Sequence, residues 1–267
     1  MGEFQIMASI ADRLPATGGR DGGFFVGGAI AMVLVIVAGF SIQLATGRSS
    51  FAAPPLVHAH AVVFMGWVAI FMTQTVLGTS GRIGLHRQLG RLAAVWILAM
   101  LVLGCLVTIS MVQRGQVPFF FRPLQFLVFD PMTLFAFAGL TAAAVALRGQ
   151  TDWHRRLHFC AMACLLGPGF GRLLPTPLLA PYAWEVIMAA CLVFPIAGAI
   201  ADLRRDGRAH PAWGWGIGAM IVTVLVTEAI TYSPVGDGLY RAVTAGTPGA
   251  AVAPLAFPAP PSGPPAA

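Results

Sequence analysis

Of the 267 residues, 57% are hydrophobic and 10% are charged. A soluble domain carries about 25% charged residues, so this chain lacks the polar surface that keeps a domain in water. The net charge of +6 comes from 16 basic residues; all are arginines scattered through short loops, which reads as membrane orientation rather than nucleic-acid binding. A chain without lysine also cannot hold retinal as a Schiff base.

A spanning helix needs about 20 mostly apolar residues. Residues 1–23 read as a cytoplasmic N-terminal segment. The run at 24–46 is too long for the apolar core of a cleavable leader and reads as the first span. Further spans are expected at 56–79, 86–112, 124–147, 153–174, 181–203 and 212–232. The loops between them hold turn formers, as in "GTSGR", "RGQTD" and "RRDGRAHP". The expectation is an all-α, seven-helix polytopic bundle over residues 24–232. "GPGFG" at 167–171 falls inside the fifth span, where Pro168 removes a backbone donor and should kink the helix. The Pro/Ala-rich stretch closing residues 233–267 reads as a flexible external tail.

Arginine placement orients the bundle. The N-terminal flank and the loops after spans two, four and six hold 11 arginines, against 5 on the other side. The positive-inside rule then puts the N-terminus in the cytoplasm and the C-terminus outside. Cys105, Cys160, Cys164 and Cys191 all lie in apolar runs and read as core residues, not as a disulfide framework.

Polar residues at membrane depth carry the functional information, and they fall into two layers. In the inner layer, "GLHRQLGR" at 84–91 opens span three with His86, Arg87 and Arg91, and "DWHRRLHF" at 152–159 opens span five with His154, Arg155 and His158. His154 and His158 are four apart and share a helix face. Spans three and five enter from the same side, so His86 reaches a similar depth. Two histidines on facing helices suit a bis-imidazole haem b. His158, one turn deeper, is the favoured partner of His86; Arg87, Arg91 and Arg155 would meet the propionates, and Gly90 would leave room for the macrocycle. The competing reading makes these residues interfacial punctuation facing headgroups.

In the outer layer, His58 and His60 are candidate metal ligands, with Met65 and Met72 spaced to extend a soft-metal face. They stand two apart, so they point about 200° away from each other on a helix. Arg172 needs a partner near hydrocarbon, and Asp130, Glu185 and Glu228 are the candidates. The group reads either as an ion pair locking the helices or as the lining of a small-ligand cavity.

At "LHRQLGRL" and "HRRLHFCAMACLLGPGFGRLLP" the chain resembles a family of uncharacterised bacterial multi-pass inner-membrane proteins. These carry a His-Arg-x-Leu-Gly-Arg signature opening one helix. The resemblance implies a bacterial inner-membrane location and no particular activity. A looser resemblance links the chain to two-haem b-type transmembrane cytochromes, which pair histidines between core helices. That resemblance implies one haem between His86 and His154 or His158. The second pairing has no counterpart, because span four offers Asp130 and Met132 instead of a histidine.

Three functions compete: a redox membrane protein holding one b-type haem between helices three and five, a carrier or sensor whose outer pocket takes a small ligand or metal, and a structural or assembly protein without cofactor. The lipid bilayer is the partner common to all three, and nucleic acid is the partner of none.

Overall fold

The computed structural model describes residues 21–47 and 51–260. Among them every regular element is helical. Helix α1 covers Gly22–Ala45, α2 Pro55–Thr79, α3 Ile83–Gln113, α4 Pro123–Ala146, α5 Thr151–Cys164 and α6 Gly167–Leu173. Helix α7 covers Ala183–Asp206, α8 Pro211–Thr231 and α9 Pro234–Thr244, with single 3-10 turns at Thr176–Leu179 and Pro248–Ala251. Six helices, α1 to α4, α7 and α8, are long and apolar enough to cross a membrane. Proline occupies the first turn of α2, α4 and α8, where its missing N–H is no loss and its fixed φ suits a helix.

The expected fifth span is built as two helices, α5 and α6, instead of one. Pro168 has no N–H to offer the Cys164 carbonyl, and the flanking glycines weaken helix propensity further. The pair still runs the length of the bundle alongside α1. Near the start of α1, the Phe159 ring fills the space beside Gly28; near its end, a Cβ on Gly39 would meet the Gly169 carbonyl oxygen at 2.6 Å. The missing side chains let the two backbones touch.

The segment after α8 also departs from expectation. Residues 234–260 are folded against the bundle end rather than forming a flexible tail, whereas 261–267 lie outside the described residues. Ser233 caps α9 through Gly236. The Tyr240 hydroxyl sits 3.1 Å from the Gly249 carbonyl and 3.2 Å from that of Val252. Gln113 Nε2 donates to the Val243 carbonyl at 3.0 Å, and the Leu124 amide to that of Pro254 at 2.9 Å. A proline-rich chain lacks donors, but its carbonyls can be satisfied by neighbouring helix ends.

Helix α3 shows how the bundle meets its surroundings. Val95, Leu98 and Val102 are 66%, 62% and 58% exposed, an apolar stripe turned away from the protein, as a lipid-facing surface requires. Helix α5 is the opposite case. It carries the most polar sequence of the set, and Trp153, Arg156, Leu157 and every residue from Phe159 to Cys164 are buried. It packs on α4, α7 and α8, so its charges meet protein rather than lipid. Helices α3 and α5 each pack on α4 but have no comparable interface with each other. All four cysteines are free thiols.

Candidate functional site

Three histidines gather at the arginine-rich end, where α3 and α5 are held apart by α4. The ring centroids of His86 and His154 are 6.0 Å apart, with planes at 78°. The rings of His154 and His158 are 4.6 Å apart at 86°. His154 therefore stands between the other two, and it, rather than the favoured His158, is the histidine closest to His86.

Both facing rings are anchored through Nδ1. His154 Nδ1 lies 2.8 Å from the Ala144 carbonyl, one of the last carbonyls of α4, which its own helix leaves free. His86 Nδ1 lies 3.3 Å from the Gln74 carbonyl on α2, and the Gln74 side chain donates back to the His86 carbonyl at 3.1 Å. A carbonyl oxygen only accepts, so each Nδ1 is the donor and Nε2 is the ring nitrogen left for a ligand. Metal-ligating histidines are oriented in this way.

The spacing of the two rings is the feature that bears on iron ligation. Two imidazoles on one iron put their ligating nitrogens about 4 Å apart and their centroids roughly 6 Å apart, close to the observed separation. Around the pair the expectations divide. Gly90 does not border an open slot, since a Cβ there would meet Gln74 Nε2 at 3.3 Å. Arg87 and Arg91 are exposed on α3, and neither forms an ion pair among the described residues. Arg155 is instead engaged by Asp21 and Asp152. Among the described residues, no group of three or more His, Cys, Asp or Glu side chains is placed to hold a metal ion.

Beside the histidines lies a network that pattern reading missed. Arg156, 1% exposed, forks onto Asp202 through Nε at 2.8 Å and Nη2 at 2.9 Å. It also reaches Asp21 and Asp152, each at 3.3 Å. Asp202 further accepts from Trp213 Nε1 at 2.7 Å and from Arg205 at 2.6 Å. Asp21 opens α1, Asp202 closes α7 and Trp213 opens α8, so one guanidinium ties three helix ends to α5. Within helices, the spacings Asp152/Arg156 and Asp202/Arg205 signalled pairs; the links between helices had no sequence signal. Aromatic packing completes the junction, with Phe25 stacked on Trp213 at 6.2 Å and 9°. A Cβ on Gly198 would overlap the Trp213 ring.

The outer residues divide into two groups. His58 is exposed and its Nε2 faces the Phe51 carbonyl at 3.2 Å, whereas His60 stacks on Phe64 at 4.1 Å inside the bundle; the two do not share a site. Arg172 corrects another expectation. It makes no ion pair with Asp130, Glu185 or Glu228 within 4.0 Å. Its Nη1 donates instead to the Pro168 carbonyl at 2.8 Å, and its guanidinium lies 4.1 Å from the Phe40 ring centre. A carbonyl one turn back and an aromatic face stand in for the carboxylate. Asp130 takes the Thr108 hydroxyl. Glu228 accepts from buried Gln125 at 2.8 Å, and Glu185 lies within electrostatic reach of Glu228 and Arg122.

No family model, curated protein or solved structure matches this chain.

Proposed function

We propose that this is an integral membrane redox protein that holds one b-type haem between α3 and α5, with His86 and His154 as the residues that would ligate its iron. A haem so held supplies one-electron transfer. The reading rests on one observation: two imidazoles from different helices stand with ring centroids 6.0 Å apart, each with Nδ1 on a main-chain carbonyl, so that Nε2 is the nitrogen left for a ligand. The Gln74 clasp fixes the ring of His86, and the Ala144 carbonyl fixes that of His154. His158 packs edge-on against His154 and restricts its rotation. Arg87 and Arg91, which form no ion pair among the described residues, would meet the propionates; Arg155 belongs to the carboxylate network. Arginine placement and the signature at 84–91 support a bacterial inner membrane, with the arginine-rich end in the cytoplasm.

Absorption spectroscopy of protein purified in mild detergent, after expression with ample haem, tests the reading. The wild type should be coloured, with a sharp reduced-minus-oxidised Soret change. His86→Ala and His154→Ala should each lose it, while His158→Ala should retain bound haem. Colourless wild-type protein, or a spectrum unchanged in His86→Ala, would overturn the assignment.

A further inference from the structure

At the end opposite the histidine cluster, α9 presents three distinct faces. At about 100° per residue, Gly236, Tyr240 and Thr244 share one face, and all three are buried against the protein. Asp237 and Arg241 share a second, paired at 2.9 Å and exposed. Val235, Leu239 and Ala242 share the third. Val235 is 72% exposed and Leu239 42%, and Ala242 is exposed with them. Around the helix, this apolar face lies roughly 150° from the ion pair. Depth follows from α8. Its 21 residues rise about 30 Å, the thickness of a hydrocarbon core, so Thr231 stands at the boundary. Helix α9 folds back at that level, where a Cβ on Gly236 would overlap the Ile230 carbonyl oxygen. The exposed Val222 and Leu225 of α8 carry the apolar surface toward the same level. Alongside, the Arg122 guanidinium lies 4.8 Å from the Phe257 ring centre and donates to the Tyr232 hydroxyl at 2.6 Å. Both rings are exposed, and exposed aromatics beside an arginine mark a membrane–water boundary.

Apolar surface left in water is unfavourable. A helix with apolar and charged faces on nearly opposite sides suits the plane of a bilayer surface. We propose that α9 is an interfacial helix. Val235, Leu239 and Ala242 sit in the headgroup–acyl boundary of the leaflet at this end, and Asp237 and Arg241 turn to water. The partner is a lipid surface. The contact is apolar and the ion pair beside it is neutral as a unit, so the seat requires no particular headgroup charge. The chain beyond α9, which bonds to the ends of α3 and α4, is thereby held at the membrane surface. The inference rests on the bundle crossing a membrane and does not depend on haem.

Nitroxide accessibility in phosphatidylcholine vesicles tests the proposal. Val235→Cys, Leu239→Cys and Arg241→Cys are spin-labelled one at a time, with the wild type, whose four thiols are free, as background. Labels at Val235 and Leu239 should be relaxed more by oxygen, which concentrates in lipid, than by a water-soluble nickel chelate. The label at Arg241 should show the reverse order. Leu225→Cys, on the exposed face of α8, is the control for the bundle itself and should be oxygen-dominated. Should Val235→Cys or Leu239→Cys fail to fold, Ala242→Cys reads the same face. Nickel-dominated labels on α9's apolar face, with an oxygen-dominated Leu225, would overturn the proposal and leave the membrane bundle standing. A nickel-dominated Leu225 would overturn the membrane reading as well. Labels on the apolar face shielded from both reagents would mean that protein, a second copy or another chain, covers it, and would also overturn the proposal.

Discussion

Arg156→Met tests whether the buried charge network holds the helix ends together. The substitution keeps a long apolar side chain and removes the guanidinium, so the volume lost is small and the effect reports on charge. Asp21, Asp152 and Asp202 would then face one another, with side chains 0%, 19% and 4% exposed. Removing one partner of a buried pair costs about 3–5 kcal/mol. The lower bound applies here, because Asp202 keeps Trp213 and Arg205 and Asp21 keeps Arg155. At about 2–4 °C per kcal/mol for a chain of this size, the loss is roughly 6–12 °C in Tm. Thermal denaturation in detergent, followed by loss of the monodisperse chromatographic peak, measures it. Asp202→Asn keeps an acceptor for Trp213 and removes the charge. The double variant should be less destabilised than the sum of the singles, because contacting residues couple by about 0.5–3 kcal/mol. An unchanged Tm in Arg156→Met, or strict additivity in the double variant, would show that the network does not hold the helix ends.

Two further outcomes are expected. Reporter fusions should read as external after Tyr232 and cytoplasmic near Gly149, from the arginine asymmetry; both on one side would refute the proposed orientation. His210 precedes α8, its Nδ1 accepting from the Ala212 amide at 3.1 Å, and burial, with Arg156 nearby, lowers its pKa to about 4. The folded state therefore binds fewer protons than the unfolded chain, whose histidine titrates near 6.5. Its contribution is complete above that pH and fades as pH falls toward about 4. His210→Asn keeps an N-cap and should flatten this part of the pH–Tm profile; an unchanged slope would refute the assignment.

The sequence alone determined the class of the fold, because period and length speak directly to a bilayer. Runs apolar on every face, with few charges and short turns, leave helix as the only way to satisfy the backbone in lipid. It also marked Pro168, since a missing N–H is a local fact. The two histidine motifs were legible for the same reason: their spacing along one helix fixes a shared face. Tertiary structure decided which residues meet across helices. His154, not His158, stands closest to His86 because α4 ends with a free Ala144 carbonyl that turns the ring. Arg155 reads in sequence as a cation for a propionate or a headgroup, yet it and Arg156 are enclosed by Asp21, Asp152 and Asp202, which lie far apart in the chain. Arg172 meets the Pro168 carbonyl and the Phe40 ring in place of Asp130, and the ring comes from α1, which no spacing within one helix reports. Residues 234–260 looked too rich in proline and alanine to hold a structure of their own. They are ordered by donors on α3, α4 and α9, and no pattern within one segment reports a partner supplied by another.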